Sequence, residues 1–360
     1  MSVSLHIPGV SVDFTPSHTR NPQAFPLNLW YVAALSKEVN SERPLARRFL
    51  NEPVVLFRTA DGAVAAVEDR CCHRHLPLSN GTLEADGIRC GYHGMLYNRE
   101  GQCTEIPGQD KVPAKARVHA YVVQEVDSLV WIWFGSERDS QPDCPPPSYP
   151  VHSSPEYVWD GDVFHYQAPF QLIHDNLLDL SHLGYVHLQT IGGNARIHMN
   201  AEQKVEANGN EVLVKRYMRD SVPPPTYTAV WPFAGKVDRW QEILFTPNHL
   251  RIWTGAVDVN TDDLDDPQRG GFHMRGYHAI TPETETSSHY LWTMATNPQD
   301  NREEVLAAVI QQTAFTFQED KVVIEAQYNN MKQFAGEPMV DIHVDVGPNR
   351  ARRIMEQLKQ

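Results

Sequence analysis

The chain has 360 residues, 41% of them hydrophobic, and a formal net charge of −14 at pH 7. That length exceeds one average domain and that composition sustains a packed core, which excludes a disordered chain and predicts two domains. The acidic balance excludes a nucleic-acid binder, which needs a basic stripe, and no apolar run reaches the roughly 18–20 residues of a membrane span.

The opening stretch MSVSLHIPGVSVDFTPSHTRNPQAF lacks the charged-then-apolar order of a secretory signal, so a soluble, cytoplasmic protein is expected. Residues 1–26 are read as an N-terminal extension with no assigned role. Five cysteines, odd in number and unevenly spread, make a poor disulfide framework. In a reducing compartment, clustered Cys and His more often bind metal.

From Leu27 onward short apolar runs alternate with turns: LNLWYVAAL, PVVLFRTADGAVAAVED, HAYVVQEVDSLVWIWFG. ADG and REG carry hairpin chemistry, and the whole of residues 27–139 reads as a small all-β domain. Prolines then break every pattern in SERDSQPDCPPPSYPVHSSPEY, and residues 140–157 read as a linker. Residues 158–360 begin with strand-like DVFHYQAPF and helical QLIHDNLLDLSHLGYV. Strand-like EVLVKRYM, RWQEILFT, LRIWTGAV and HYLWTMAT follow, and a long amphipathic helix over Arg302–Met331 is expected to come last. Strands bracketed by a few helices place this second domain, and the chain, in the α+β class.

Four of the five cysteines, with three histidines, fall in CCHRHLPLSNG and CGYHGMLYNREGQC. Cys71-x-His73 and Cys90-x-x-His93 are separated by sixteen residues on glycine-bearing loops. Two chemistries accept two Cys and two His: a tetrahedral structural zinc, and a Rieske [2Fe–2S] centre with two Cys on one iron and two His on the other. One Cys and one His from each loop favours the binuclear cluster, because each loop then spans both irons. Cys72, His75, Cys103 and Cys144 are read as packing or inert residues.

A second cluster lies in HDNLLDLSHLGYVH. On one helix Asp175, Asp179 and His182 share a polar face, whereas His187 lies five residues past His182, about 140° away. Both histidines reach one metal only if the helix ends or widens between them, and Gly184 is expected to mark that break. Two His plus a carboxylate make the facial triad of a non-haem Fe(II) site. In the last helix Leu306, Val309, Thr313, Phe317 and Ile324 form an apolar stripe that contains Asp320. A carboxylate there needs a compensating charge, either a ferrous ion or a buried Arg. Glu319 lies about 100° off that face and is read as solvated.

These motifs together resemble the α-subunits of Rieske non-haem iron oxygenases, over nearly all of the chain from Leu27. Cys71-x-His73 and Cys90-x-x-His93 match that family's cluster motif, and Asn176-x-x-Asp179-x-x-His182-x4-His187 its iron motif. WYVAAL, TPETETSSHY and EDKVVIEAQ further resemble the branch holding vanillate O-demethylase, dicamba O-demethylase and toluenesulfonate methyl-monooxygenase. The resemblance implies a Rieske β-domain, a helix-grip catalytic domain (an antiparallel sheet with helices) and a head-to-tail homotrimer. It implies a [2Fe–2S] cluster on Cys71, His73, Cys90 and His93, and Fe(II) on His182, His187 and Asp320. Asp179 would bridge His182 to His93 of the partner subunit, and Asn176 would sit beside the iron. His278 matches a substrate-pocket position, with a buried structural histidine as the alternative.

The implied activity is that of a terminal oxygenase component, which uses O₂ to hydroxylate a methyl or methoxy carbon of an aromatic acid. A hydroxylated methoxy group is a hemiacetal and collapses to a phenol and formaldehyde. No G-x-G-x-x-G follows a strand and no second cysteine cluster is present, so electrons are expected from NAD(P)H through a separate flavin and iron–sulfur reductase. The rival readings are a ring cis-dihydroxylase, a non-catalytic Rieske electron-transfer protein and a zinc-stabilised binding protein.

Overall fold

In LWYVAAL and LVWIWF nearly every side chain is buried, as in strands covered on both faces. The structure, a computed structural model, describes residues 23–188, 190–192, 194–297 and 300–359, so most of the N-terminal extension lies outside the described residues. Strands β1 (Leu29–Leu35), β2 (Leu45–Phe49), β3 (Glu52–Arg58), β4 (Val64–Glu68), β5 (Thr82–Glu84), β6 (Gly87–Arg89), β7 (Leu96–Asn98), β8 (Cys103–Glu105), β9 (Val123–Val126) and β10 (Leu129–Phe134) form three antiparallel sheets, ordered β1-β10-β9, β2-β3-β4 and β5-β6-β7-β8. The hairpins expected at ADG and REG are present. Gly62 at φ 85° and Gly101 at φ 72° supply their left-handed positions.

The second half is one seven-stranded antiparallel sheet, ordered β11-β17-β16-β15-β14-β13-β12. Its strands are β11 (Val158–Tyr166), β12 (Glu202–Asn208), β13 (Glu211–Ser221), β14 (Val237–Phe245), β15 (Leu250–Asp258), β16 (Phe272–Thr284) and β17 (Ser287–Thr296). Helices α1 (Phe170–Leu178), α2 (Leu183–Val186), α3 (Ala195–Met199), α4 (Pro225–Thr228), α5 (Arg302–Gln333) and α6 (Val346–Gln357) complete it. The sheet is gripped by α1, against β16, and α5, against β11 and β17; α6 packs on α1 and β13. The long helix is therefore not the last element. VGPNRARRIMEQ opens with Gly and Pro and looks like a loop, but Pro348 sits in the first turn of α6, where its missing N–H costs nothing. β16 also escaped the periodic reading, because Gly276 and the bulge at Pro282 interrupt its pattern.

The two halves share packing. Trp30, Trp131 and Trp133 of the β1/β10 sheet bury against Tyr277 and Leu291 of β16 and β17. Asn248 Nδ2 donates to the Trp30 carbonyl at 2.7 Å and Thr281 Oγ1 to the Val32 carbonyl at 2.7 Å, which ties the first sheet to the second domain. No helix among the described residues is long and apolar enough to cross a membrane.

Candidate active site

The loops after β4 and β6 are built alike. Cys71 N donates to Leu76 O at 2.8 Å and His75 N to Cys71 O at 2.9 Å; Cys90 N donates to Met95 O at 2.9 Å and Gly94 N to Cys90 O at 3.1 Å. His75 (φ 59°) and Gly94 (φ 72°) occupy the matching left-handed position, so His75 serves the turn with its backbone. Each loop thereby points its cysteine inward and its histidine outward. Cys71 and Cys90 are 3% exposed, whereas His73 and His93 are exposed with ring centroids 4.6 Å apart. Burial pushes the Cys90 thiol up, against the pull of the Tyr92 and His93 amides directed at its sulfur.

This arrangement decides between the two cluster chemistries. A single tetrahedral zinc gathers all its donor atoms to within about 4 Å of one another. Among the described residues only His182, His187 and Asp320 bring three donors within 4.8 Å of each other. Two inner thiols and two outer imidazoles fit the two irons of a [2Fe–2S] centre instead. The Tyr97 hydroxyl, which no sequence signal singled out, lies 3.2 Å from both Cys71 Sγ and Cys72 Sγ, and its oxygen accepts from Cys72 N at 3.1 Å. Its proton is left for a sulfur. Cys103 packs in the same core with its thiol on the Glu105 carbonyl, and Cys144 is exposed.

The second centre depends on a broken helix. α1 ends at Leu178 because Asp179 turns extended (φ −118°, ψ 96°) and its carboxylate accepts from Ser181 N at 2.8 Å, a cap for the next turn. The break falls there and not at Gly184. Gly184 instead lets α2 lie against α3, since a Cβ would stand 2.2 Å from Ala195 Cα. The new direction of the chain brings His182 and His187 to one point. Asp320 Oδ1 lies 3.2 Å from His182 Nε2, 3.0 Å from His187 Nε2 and 3.1 Å from Asn176 Nδ2.

The opposite ring nitrogens are both held. His182 Nδ1 donates to the Asp179 carbonyl at 2.6 Å, and His187 Nδ1 to Glu319 Oε2 at 2.8 Å. A carbonyl only accepts, so His182 carries its proton on Nδ1 and aims the Nε2 lone pair at a carboxylate. Lone pairs from three residues thus converge, which is repulsive unless a cation lies between them. Donors about 3 Å apart are what bonds of about 2.1 Å at right angles produce. Burial would push Asp320 up and His187 down; positive charge at the imidazoles reverses the first and the Asp320 and Glu319 carboxylates the second, so this point favours a cation.

Glu319 is therefore not the solvated residue expected from its helical angle: it is 26% exposed and its long side chain reaches back to His187. Asp179 holds His182 through its carbonyl rather than its carboxylate. Asp179 and His182 also line an open groove, with Asp175, Val186, Val323 and Met339.

On the near side the triad opens into a cavity between α1, α5 and the sheet. Leu177, Ile252, Met274, Met294 and Phe317 make it largely apolar. The sheet adds Arg239, Gln241, Thr254 and His278. His278 Nδ1 shares a 2.7 Å hydrogen bond with Tyr290 Oη, and burial lowers its pKa to about 3, so the ring is neutral. Gly276 makes room for it; a Cβ there would lie 2.6 Å from His278 Nε2.

Comparison with known proteins agrees with both centres. Residues 29–121 match the Rieske [2Fe-2S] domain, and residues 166–360 match the vanillate O-demethylase oxygenase C-terminal domain. The chain is 39% identical to a putative toluene-4-sulfonate monooxygenase system iron-sulfur subunit of Comamonas testosteroni, over 92% of this chain and 96% of that protein. It is 32% identical to a vanillate O-demethylase oxygenase subunit of a Pseudomonas species, over 93% and 95%. The crystal structure of dicamba monooxygenase bound to dicamba superposes with a TM-score of 0.83 at 31% identity, covering 92% of this chain and 97% of that one. The same enzyme with non-haem iron and dicamba gives 0.76 at 28% identity, covering 95% and 98%. This chain belongs to the vanillate O-demethylase oxygenase-subunit family and is the oxygenase component of a Rieske-type monooxygenase.

Proposed function

We propose that the chain inserts one oxygen atom of O₂ into a methyl or methoxy carbon of an aromatic acid. The observation that carries this reading is the convergence of His182, His187 and Asp320 on one point in the lining of a largely apolar cavity. Cys71 and Cys90 would hold the inner iron of the [2Fe–2S] cluster, His73 and His93 the outer one, and the triad a mononuclear Fe(II). When bound, the cluster supplies stored electrons and the Fe(II) activates dioxygen.

The chain's own residues do the rest. Glu319 and the Asp179 carbonyl fix both imidazoles with Nε2 forward. Asn176 donates to Asp320 Oδ1 and limits its rotation. The apolar wall of Ile252, Met274, Met294 and Phe317 excludes water from the reacting carbon. His278, held by Tyr290, orients the substrate from the sheet.

Asp179 connects His182 to His93 of the partner subunit in a head-to-tail trimer. Asp179 lines the open groove, which exposed Val323, Met339 and Val340 surround, and exposed Tyr92 flanks His93 at the cluster tip. Apolar surface at two unlike places suits a heterologous ring contact. Residues 27–139 then form the Rieske domain, 140–157 the linker and 158–360 the catalytic domain. The protein works in the cytoplasm with an NAD(P)H-dependent flavin and iron–sulfur reductase.

The test is purified protein with a compatible reductase, NADH and a panel of methoxylated and methylated aromatic acids. Formaldehyde released in step with NADH consumption marks O-demethylation. A hydroxymethyl product without formaldehyde marks methyl hydroxylation, the alternative to O-demethylation. A diol, or no product from iron-replete protein, contradicts the proposal.

A further inference from the structure

β14 turns Arg239 and Gln241, two residues apart and so on one face, into the largely apolar cavity. Arg239 is 3% exposed, yet no carboxylate among the described residues pairs with it. Its polar neighbours are the Tyr227 side chain and the Ile191 carbonyl, the latter at a long 3.4 Å. Two other arginines of this domain do pair with carboxylates, Arg269 with Glu242 and Arg352 with Asp175.

A second buried arginine deepens the imbalance. Arg216 of β13 donates to Gln241 Oε1 at 2.8 Å and to the His198 carbonyl at 2.5 Å, and its charge and that of Arg239 repel. Asp179 attracts Arg216 only from beyond ion-pair distance. Because a guanidinium only donates, Gln241 must give its oxygen to Arg216 and keep its NH₂ for the cavity. One end of the cavity therefore offers a buried guanidinium and an amide donor with no anion to receive them. Such a cation is costly to bury and persists where a ligand supplies the missing charge.

We propose that Arg239, with Gln241 beside it, binds the anionic substituent of the substrate, a carboxylate or sulfonate, and so presents the rest of the ring to the His182, His187 and Asp320 side. This assignment rests on the oxygenase reading of the cavity and makes Arg239 the residue that selects acids over neutral aromatics.

Calorimetric titration of the iron-loaded full-length protein tests it. The probes are 4-methylbenzenesulfonate and 3-methoxybenzoate, each against its neutral amide. Wild type should bind at least one anion about 30-fold or more tighter than its amide, the lower end of what one partner of a buried charge pair is worth. Arg239→Gln should lose that preference with iron content and visible spectrum unchanged, and Arg239→Lys should keep part of it. The preferred anion tells carboxylate from sulfonate. Equal or absent binding of acid and amide by wild type, which needs no variant to fold, overturns the proposal. So does a retained preference in folded Arg239→Gln. Arg239-dependent anion binding without any oxygenated product contradicts the proposed function and leaves this assignment standing. Equal oxygenation of acids and amides overturns this assignment and leaves the function standing.

Discussion

His187 shows how much of the site rests on a neighbour that is not itself a ligand. Its Nδ1 proton goes to Glu319, which fixes the tautomer and makes Nε2 the better donor to a metal. Glu319→Ala should weaken iron retention about 10–100-fold, the usual cost of such a partner. Iron per chain after dialysis against a chelator measures this, and the visible spectrum of the cluster should not change. Tyr97 plays the parallel part at the cluster. A hydroxyl donating to Cys71 Sγ stabilises the more negative, reduced form. Tyr97→Phe should therefore lower the reduction potential by roughly 40 mV, the one-electron equivalent of about 1 kcal/mol. Spectroelectrochemical titration measures it, and an unchanged potential would assign the proton to Cys72 instead.

Between residues and fold stands the segment from α1 to α3, where one capping aspartate and one glycine set the direction of two ligands. Gly184→Ala places a methyl against Ala195 and must push α2 from α3. A cost of about 1–3 kcal/mol is expected for such overpacking, with partial iron loss because His182 and His187 flank α2. A lowered thermal midpoint together with lowered iron content checks this. The ligand types and the stripe that carries Asp320 were legible because helical period and metal chemistry are local. The break at Asp179 was not, since Asp-x-Ser capping competes with a run that otherwise reads as one helix. Arg239 and Gln241 were not legible for a different reason. Which face of β14 meets the cavity depends on its pairing with β15, Arg239 opposite Ala256 and Gln241 opposite Thr254, and a single strand does not contain that information.

For the whole molecule, the proposed head-to-tail ring makes electron transfer a matter between chains, from the exposed His73 and His93 of one to the groove beside Asp179 of the next. A Cys71→Ser chain and an Asp320→Ala chain should each be inactive alone. Co-expressed, they should recover part of the turnover, because mixed rings place an intact cluster beside an intact triad. Activity of co-purified mixtures against each pure variant checks this, and no recovery in verified mixed oligomers would place transfer within one chain. Asp179→Asn should keep both iron centres, by metal analysis and visible spectrum, and lose most of its steady-state turnover. Full activity would remove Asp179 from the path.

The most direct measurement is a single turnover. Chemically reduced, iron-replete protein without reductase would be mixed with ¹⁸O₂ and whichever aromatic acid the panel identifies, and the product analysed by mass spectrometry. The expected product is a hydroxylated methyl carbon, or the phenol and formaldehyde derived from one, with a single ¹⁸O in the alcohol or in the formaldehyde formed before exchange with water. Oxidised cluster without oxygenated product, or product free of ¹⁸O under conditions that prevent exchange, would contradict it.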